Sequence, residues 1–345
     1  MARSSKATPH VCMVADHGCI RVFREAITLI QAGYTVDVIS RKAPFGFNAF
    51  NTLSIFDDWG QMKRSVAASR ADIFHVHNEP DKIVFHTRDA TSKPIIFDCH
   101  DLQSLRSNHV SENEKKAFDA SDGYIFVSET AAKLGVNTHK IKKPVAVVFS
   151  YINKQFTKPI TWPANFNSVC YEGGVASAHP SFKRADGTEF VNYRNYLPIA
   201  KQFLDQDFSF TVYPASALPN KNYEFLGAVV SQPLFYPVLM RALRTHGLGI
   251  VGAHCHIPIM HAAMPNKLFE YMSQGVVPVV INCAEVAQFV EDNGCGIELK
   301  SFDNIRDQLA DAPKIRERII KDQGKWFMEK QLPVIEKLYE EVLGG

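Results

Sequence analysis

Short apolar runs alternate with amphipathic stretches through the first half of the chain. Val11–Ala15 (VCMVA) is a compact apolar run, followed by Asp16-His17-Gly18 and by helical spacing over residues 22–31. Gly33 stops that helix, and residues 35–40 (TVDVIS) read as a second strand. Ile73–His77, Ile95–Cys99, 124–127 and 145–149 read as further strands, with 112–120 as one of the helices between them. Such alternation predicts a parallel, doubly wound sheet over residues 1–150. Residues 151–167 break the pattern with Pro159 and Pro163 and read as a linker.

The alternation then resumes. Strands are expected at 168–171, 208–213, 248–251 and 277–281, and helices at 193–204, 236–245 and 265–273. The second half is therefore a second open α/β unit. At the C-terminus, residues 324–343 place Trp326, Phe327, Ile335 and Leu338 on one helical face, with Pro333 expected to kink or split the helix. In sheets of this kind ligands sit beyond the carboxyl ends of the strands, so the residues just after each strand are the place to look for chemistry.

Composition narrows the picture. The length of 345 residues suits two domains of ~150 each, and 46 % apolar with 21 % charged residues is ordinary for a globular chain. Lys+Arg number 38 against Asp+Glu 36, a formal charge of +2, which lacks the footprint of a dedicated nucleic-acid binder. The 7 cysteines are scattered and form no CxxC pair, so neither a disulfide framework nor a zinc knuckle is expected. A reducing cytoplasm is the expected setting. The N-terminal stretch has no long apolar segment, so any membrane contact would be peripheral.

The segment MPNKLFEYMSQG, residues 264–275, carries the chemistry. Pro265 suits a first helical turn. The amides of Asn266, Lys267 and Leu268 would then point out of the helix start and, with the dipole, form a phosphate site to which Lys267 adds charge. Glu270, about one turn further in, suits a pair of ribose hydroxyls. The alternative is an ordinary capped helix with Leu268, Phe269 and Met272 as core contacts.

PNKLFEYMSQGVVPVV resembles the donor-site signature of GT-B glycosyltransferases, in particular the family-4-like enzymes that build bacterial polysaccharides and glycolipids. The flanking segments agree in order: HVCMVADHG, HVHNEP, FDCHD, DGYIFVSE and YEGGV before it, VAQFVEDNGCGIEL after it. The resemblance covers nearly the whole chain. It implies an α/β fold of two Rossmann-like doubly wound domains facing a cleft. The acceptor-side domain would span 1–150, the linker 151–167, the nucleotide-sugar donor domain 168–323, and a C-terminal helix over 324–345 would cross back to the first domain.

The resemblance also implies roles. Glu270 would hold the donor ribose. The family's second glutamate, eight positions earlier, is replaced by Ala262. The arginine expected beside the glycines of YEGGVASAHPSFKR is absent, which leaves Gly173 and Gly174 for close approach to the diphosphate and Lys183 and Arg184 as its neutralising cations. His100, ending IIFDCH, is the catalytic candidate and would touch the transferred sugar. Asp101 beside it would orient a group or cap the next helix; from their own positions, Gly18 and Arg21 in the first strand-to-helix turn would meet an acceptor phosphate, and His77 would line the acceptor site. His254, Cys255, His256 and His261 match no familiar zinc spacing, and no bound metal or covalent cofactor is expected.

The implied reaction moves a glycosyl unit from a nucleoside diphosphate sugar, a UDP-sugar in the first instance, to a hydroxyl of a glycan, glycolipid or other acceptor. Retention of configuration is implied too. Three alternatives remain: a non-catalytic subunit of the same fold, a sugar-nucleotide epimerase, and a glycosyltransferase acting on modified DNA bases.

Overall fold

The computed structural model describes residues 8–43, 47–176, 181–183, 189–218 and 221–344, with backbone alone for 47, 181–183 and 189–191. The chain divides into two compact units. Unit 1 comprises Met1–Lys154 and Phe327–Gly345, and unit 2 comprises Gln155–Trp326.

Unit 1 is built on seven parallel strands: β1 Val11–Ala15, β2 Val36–Ser40, β3 Thr52–Ile55, β4 Ile73–His77, β5 Ile95–Cys99, β6 Gly123–Phe126 and β7 Val145–Val147. Their spatial order is β3-β2-β1-β4-β5-β6-β7. β1, β2, β4 and β5 are buried along their whole length, as parallel strands covered by helices on both faces must be. That is why they appear in the sequence as mainly apolar runs. β3 was not expected. It is a half-exposed edge strand of TLSI and carries no such run.

Side chains close the helix starts between these strands. Ser111 Oγ accepts from the Glu114 amide at 3.1 Å and Ser128 Oγ from the Ala131 amide at 3.0 Å. The helix Ile20–Gln31 ends two residues before Gly33, which takes φ +93°.

Unit 2 carries β8 Ser168–Gly173, a separate antiparallel pair of β9 Ser181–Lys183 and β10 Glu189–Val191, then β11 Ser209–Pro214, β12 Val229–Val230, β13 Leu248–Gly252, β14 Val277–Ile281 and β15 Ile297–Glu298. The main sheet is ordered β12-β11-β8-β13-β14-β15, all parallel. The helix expected over 193–204 begins only at Leu197. Asn192 accepts the Asn195 amide at 3.0 Å and Asn195 Oδ1 accepts the Leu197 amide at 3.1 Å, so residues 192–195 form a turn before it.

The C-terminal segment is three pieces rather than one kinked helix. Short 3₁₀ turns at Gln323–Trp326 and Met328–Lys330 precede the helix Leu332–Leu343. Pro333 stands in the first turn of that last helix, where its missing N–H costs no bond. The Met328 amide donates to Ile152 O at 3.1 Å, which ties the segment to the end of the 1–154 stretch. No helix among the described residues is long and apolar enough to cross a membrane.

Candidate functional site

In unit 1 the strand order turns at β1, which has β2 on one side and β4 on the other. Such a switch point opens a crevice beyond the carboxyl ends of the strands. The residues following β1, β4 and β5 meet there around a cavity of about 440 Å³, among them Asp16, His17, Asn78, Glu79, His100 and Asp101. Gly18 lies in the turn between His17 and Cys19, both of which line it. The buried Asn78 side chain fixes the β5 end: its Oδ1 accepts the His100 amide at 2.8 Å, and its Nδ2 donates to Asp101 O at 3.0 Å and to Asp81 Oδ1 at 3.1 Å.

His100 is the sequence-derived residue that the fold presents to this cavity on its own strand end. Its side chain is 19 % exposed, and its Nε2 hydrogen-bonds His77 Nδ1 at 3.0 Å. Burial lowers its pKa to about 4, against the opposing pull of Asp98, so the ring is neutral at pH 7. A neutral imidazole keeps one donor and one acceptor nitrogen. Asp101 is ion-paired to Arg106, which also pairs with Glu79.

Arg21 does not face the cavity as expected. It is only 2 % exposed, because the helix starting at Ile20 turns positions 21 and 25 together against the sheet. Its Nε donates to Asp98 Oδ2 at 2.9 Å, its Nη1 to Val148 O at 2.8 Å, and its Nη2 lies 3.0 Å from Glu25 Oε1. His77 is buried as well and reaches the cavity only through His100. His75, read as core, is buried with its Nδ1 2.7 Å from Tyr339 Oη.

These residues form an ion-paired interior. Among the described residues, Glu25, His75, His77 and Asp98 bring four potential ligand atoms within 4.8 Å of one another. The Arg21 guanidinium already stands against both carboxyl groups and supplies the counter-charge of Asp98. Burial pushes the Asp98 carboxyl up, but Arg21 and the neighbouring histidines outweigh it and hold the group well below the usual range. Glu25 moves the other way, raised by burial more than Arg21 lowers it. The histidines His254, His256 and His261 with Cys255 do not form such a set among the described residues.

In unit 2 the order turns at β8, between β11 and β13. β8 ends at Gly173, which takes φ +119°, and a Cβ there would stand 3.3 Å from Lys267 Nζ. That ammonium lies 4.0 Å over the Tyr171 ring and 5.9 Å from the Tyr196 ring, themselves stacked at 3.6 Å. At Gly174 a Cβ would meet Arg194 Nη1 at 3.3 Å. Two cations thus stand over two glycines at one strand end. Arg194 was not anticipated: it reaches Gly174 from twenty positions along the chain, and nothing in its own neighbourhood marks it.

The helix Asn266–Ser273 brings Lys267 to this place. Pro265 is its N-cap, with φ −71° and ψ 146°, not a first-turn residue, since its extended ψ turns the chain into the helix only at Asn266. Leu268 is not a free donor: its amide bonds Pro265 O at 3.1 Å and its side chain is fully buried. Asn266 and Lys267 occupy the first two helical positions, whose amides have no intrahelical acceptor. Glu270 is buried, with 4 % of its surface exposed. Ala262 is buried in the short helix Pro258–Ala262. Lys183 falls in β9, and Arg184 lies outside the described residues.

Residues 11–155 match the model of Glycosyltransferase Family 4. None of the curated proteins matches the chain. Among solved structures, a glycosyltransferase from Rickettsia africae ESF-5 superposes with a TM-score of 0.70 at 11 % identity, over 98 % of this chain and 99 % of its own. An alpha-glucosyltransferase in complex with UDP and a 13-mer DNA containing a central A:G mismatch gives 0.64 at 10 % identity, over 97 % and 100 %. WaaG, a glycosyltransferase involved in lipopolysaccharide biosynthesis, gives 0.62 at 11 % identity, over 97 % and 100 %.

Proposed function

We propose that this chain, which has the GT-B fold and matches the Glycosyltransferase Family 4 model over residues 11–155, is a family-4-like glycosyltransferase that transfers a sugar from a nucleoside diphosphate sugar, a UDP-sugar in the first instance, to an acceptor hydroxyl with retention of configuration. The observation that carries the donor assignment is Lys267 at the helix start, held over Tyr171 beside Gly173. A diphosphate seated there meets the ammonium, the amides of Asn266 and Lys267, the positive end of the helix, and Arg194 over Gly174.

The chemistry follows from charge. As the glycosidic bond to phosphate breaks, positive charge builds on the sugar and negative charge on the leaving diphosphate. Fixed donors and cations aimed at that diphosphate stabilise the transition state electrostatically. Glycines at 173 and 174 let the backbone approach without a Cβ in the way. Glu270, one turn along the helix, accepts from the ribose hydroxyls. In unit 1 the neutral His100 ring hydrogen-bonds the transferred sugar, with Gly18 and Asp101 on the acceptor side. Arg21 and His77 act behind this surface, not on it.

Titration calorimetry with UDP and GDP tests the donor assignment. Glu270→Ala weakens binding of whichever nucleotide the native chain takes by at least tenfold, about 1.4 kcal/mol. An unchanged dissociation constant removes the assignment.

A further inference from the structure

The cavity at the β1/β4 switch point has a charge pattern that selects among acceptors. The described residues around it include three carboxylates, Asp16, Glu79 and Asp101, and no lysine or arginine. The cations nearby are already engaged with those same carboxylates. Arg41 Nε donates to Asp16 Oδ1 at 2.7 Å, with a further bond from its Nη1 to Asp57 O. Arg106 pairs with both Glu79 and Asp101. Arg21, the cation expected to meet an acceptor phosphate, is buried against Asp98 and Glu25. His100 is neutral at pH 7.

A ligand entering this space finds acceptors of hydrogen bonds and little positive charge. Ionised carboxylates accept strongly from hydroxyl groups, whose O–H···O⁻ bonds are short and charge-assisted. They repel a phosphate, and the described arginines closest to them, Arg41 and Arg106, are already paired with these carboxylates. Nucleic-acid affinity rests chiefly on lysine and arginine contacts to phosphates, and the described residues lining this cavity include neither. The cavity volume lies in the range that holds small-molecule ligands.

We propose that this cavity seats the acceptor as an uncharged, hydroxyl-rich sugar, bound through the carboxylates of Asp16, Glu79 and Asp101 beside His100, and that it turns away acceptors bearing phosphate at the bound ring, nucleic acid included. The inference rests on the glycosyltransferase reading and names the substrate class for its acceptor side. It separates this chain from the alpha-glucosyltransferase solved with DNA, whose likeness here is one of fold.

The test uses the full chain and saturation-transfer NMR with three sets of probes. These are the methyl glycosides of glucose, galactose, mannose and N-acetylglucosamine, the 6-phosphates of the same sugars, and a short duplex DNA. The expected result is saturable binding of at least one methyl glycoside, at least tenfold weaker binding of its 6-phosphate, and no binding of the duplex at 0.15 M salt. Asp101→Asn and Glu79→Gln, each checked for native thermal unfolding, weaken the methyl glycoside and narrow the gap to the phosphate. Equal or tighter binding of the 6-phosphates, binding of the duplex, or no binding of any methyl glycoside overturns the proposal. Nucleotide titration on the same sample reports separately on the glycosyltransferase reading: a chain that binds UDP but no uncharged sugar fails here alone, and one that binds sugar but no nucleotide fails there alone.

Discussion

His77 Nδ1 and His100 Nε2 are joined at 3.0 Å, so a ring that lines the unit 1 cavity is held by another that does not. His77 is in turn packed flat on His75, ring centroids 4.6 Å apart, and its Nδ1 lies 3.4 Å from Asp98 Oδ2. A partner on one imidazole nitrogen fixes what the other nitrogen offers to a ligand. His77 therefore positions His100. His77→Phe keeps an aromatic ring in the stack and removes the hydrogen bond. It is expected to lower kcat for sugar transfer by about 100-fold, within the range for a misplaced proton-handling group. Nucleotide affinity, measured by calorimetry, should stay within twofold. His100→Ala should show the same split, and wild-type turnover in either variant removes the assignment.

Arg21 is the counter-ion of the buried Asp98 carboxylate and also stands 3.0 Å from Glu25, and its removal leaves Asp98 without it. Arg21→Met fills similar volume and is expected to cost about 3–5 kcal/mol of unfolding free energy, the loss typical of breaking one side of a buried pair. Urea denaturation of the native and variant chains measures it. Arg41→Met, at a part-exposed pair with Asp16, should cost under 1 kcal/mol by the same assay.

Gly173 combines a left-handed φ of +119° with Lys267 Nζ 3.3 Å from where a Cβ would be. Gly173→Ala should therefore weaken nucleotide binding both by straining the turn and by displacing the ammonium. Lys267→Met keeps the stem over Tyr171 but not the charge. Each is expected to raise the UDP dissociation constant at least tenfold in calorimetry, and an unchanged value in both would move the diphosphate elsewhere.

His246 gives unit 2 a pH dependence. Its Nδ1 lies 2.7 Å from Ser168 Oγ and its Nε2 2.8 Å from Tyr213 Oη, and burial lowers its pKa from 6.5 to about 4. The unfolded chain binds the proton more readily, so the stabilising term is complete above pH 6.5 and is lost as pH falls toward 4. Between pH 7 and pH 5 the native chain should lose on the order of 1–2 kcal/mol through this group. The same comparison in His246→Asn should show a correspondingly smaller fall, read from urea midpoints at the two pH values.

The strands Val11–Ala15, Ile73–His77, Ile95–Cys99 and Val277–Ile281 stand in the structure with the bounds their mainly apolar runs suggest, because burial on both faces leaves few polar positions to blur them, His75, His77 and Asp98 being the buried exceptions. β3, β12 and β15 were missed because short edge strands with an exposed side carry no such run. Facing is harder to read than existence. Arg21 follows a candidate loop by a few positions, and only the helix phase set by Ile20 turns it inward. Arg194 was invisible for a different reason: its partner Gly174 is brought near by chain reversal, with the Ala176 amide on Arg194 O at 3.1 Å, and no local spacing encodes that.

Unit 1 is discontinuous in sequence, closed by Phe327–Gly345, whereas unit 2 is one unbroken segment. Tyr339, almost the last ordered aromatic of the chain, is buried against His75 and packs edge-on to Tyr34. On a ribosome, synthesis proceeds from the N-terminus. The first 154 residues emerge early but lack the helix that covers His75, and they wait through translation of all of unit 2 before Tyr339 appears. Unit 2 is thus the part able to finish first, and the half that holds His100 is sealed only after unit 2 has been made.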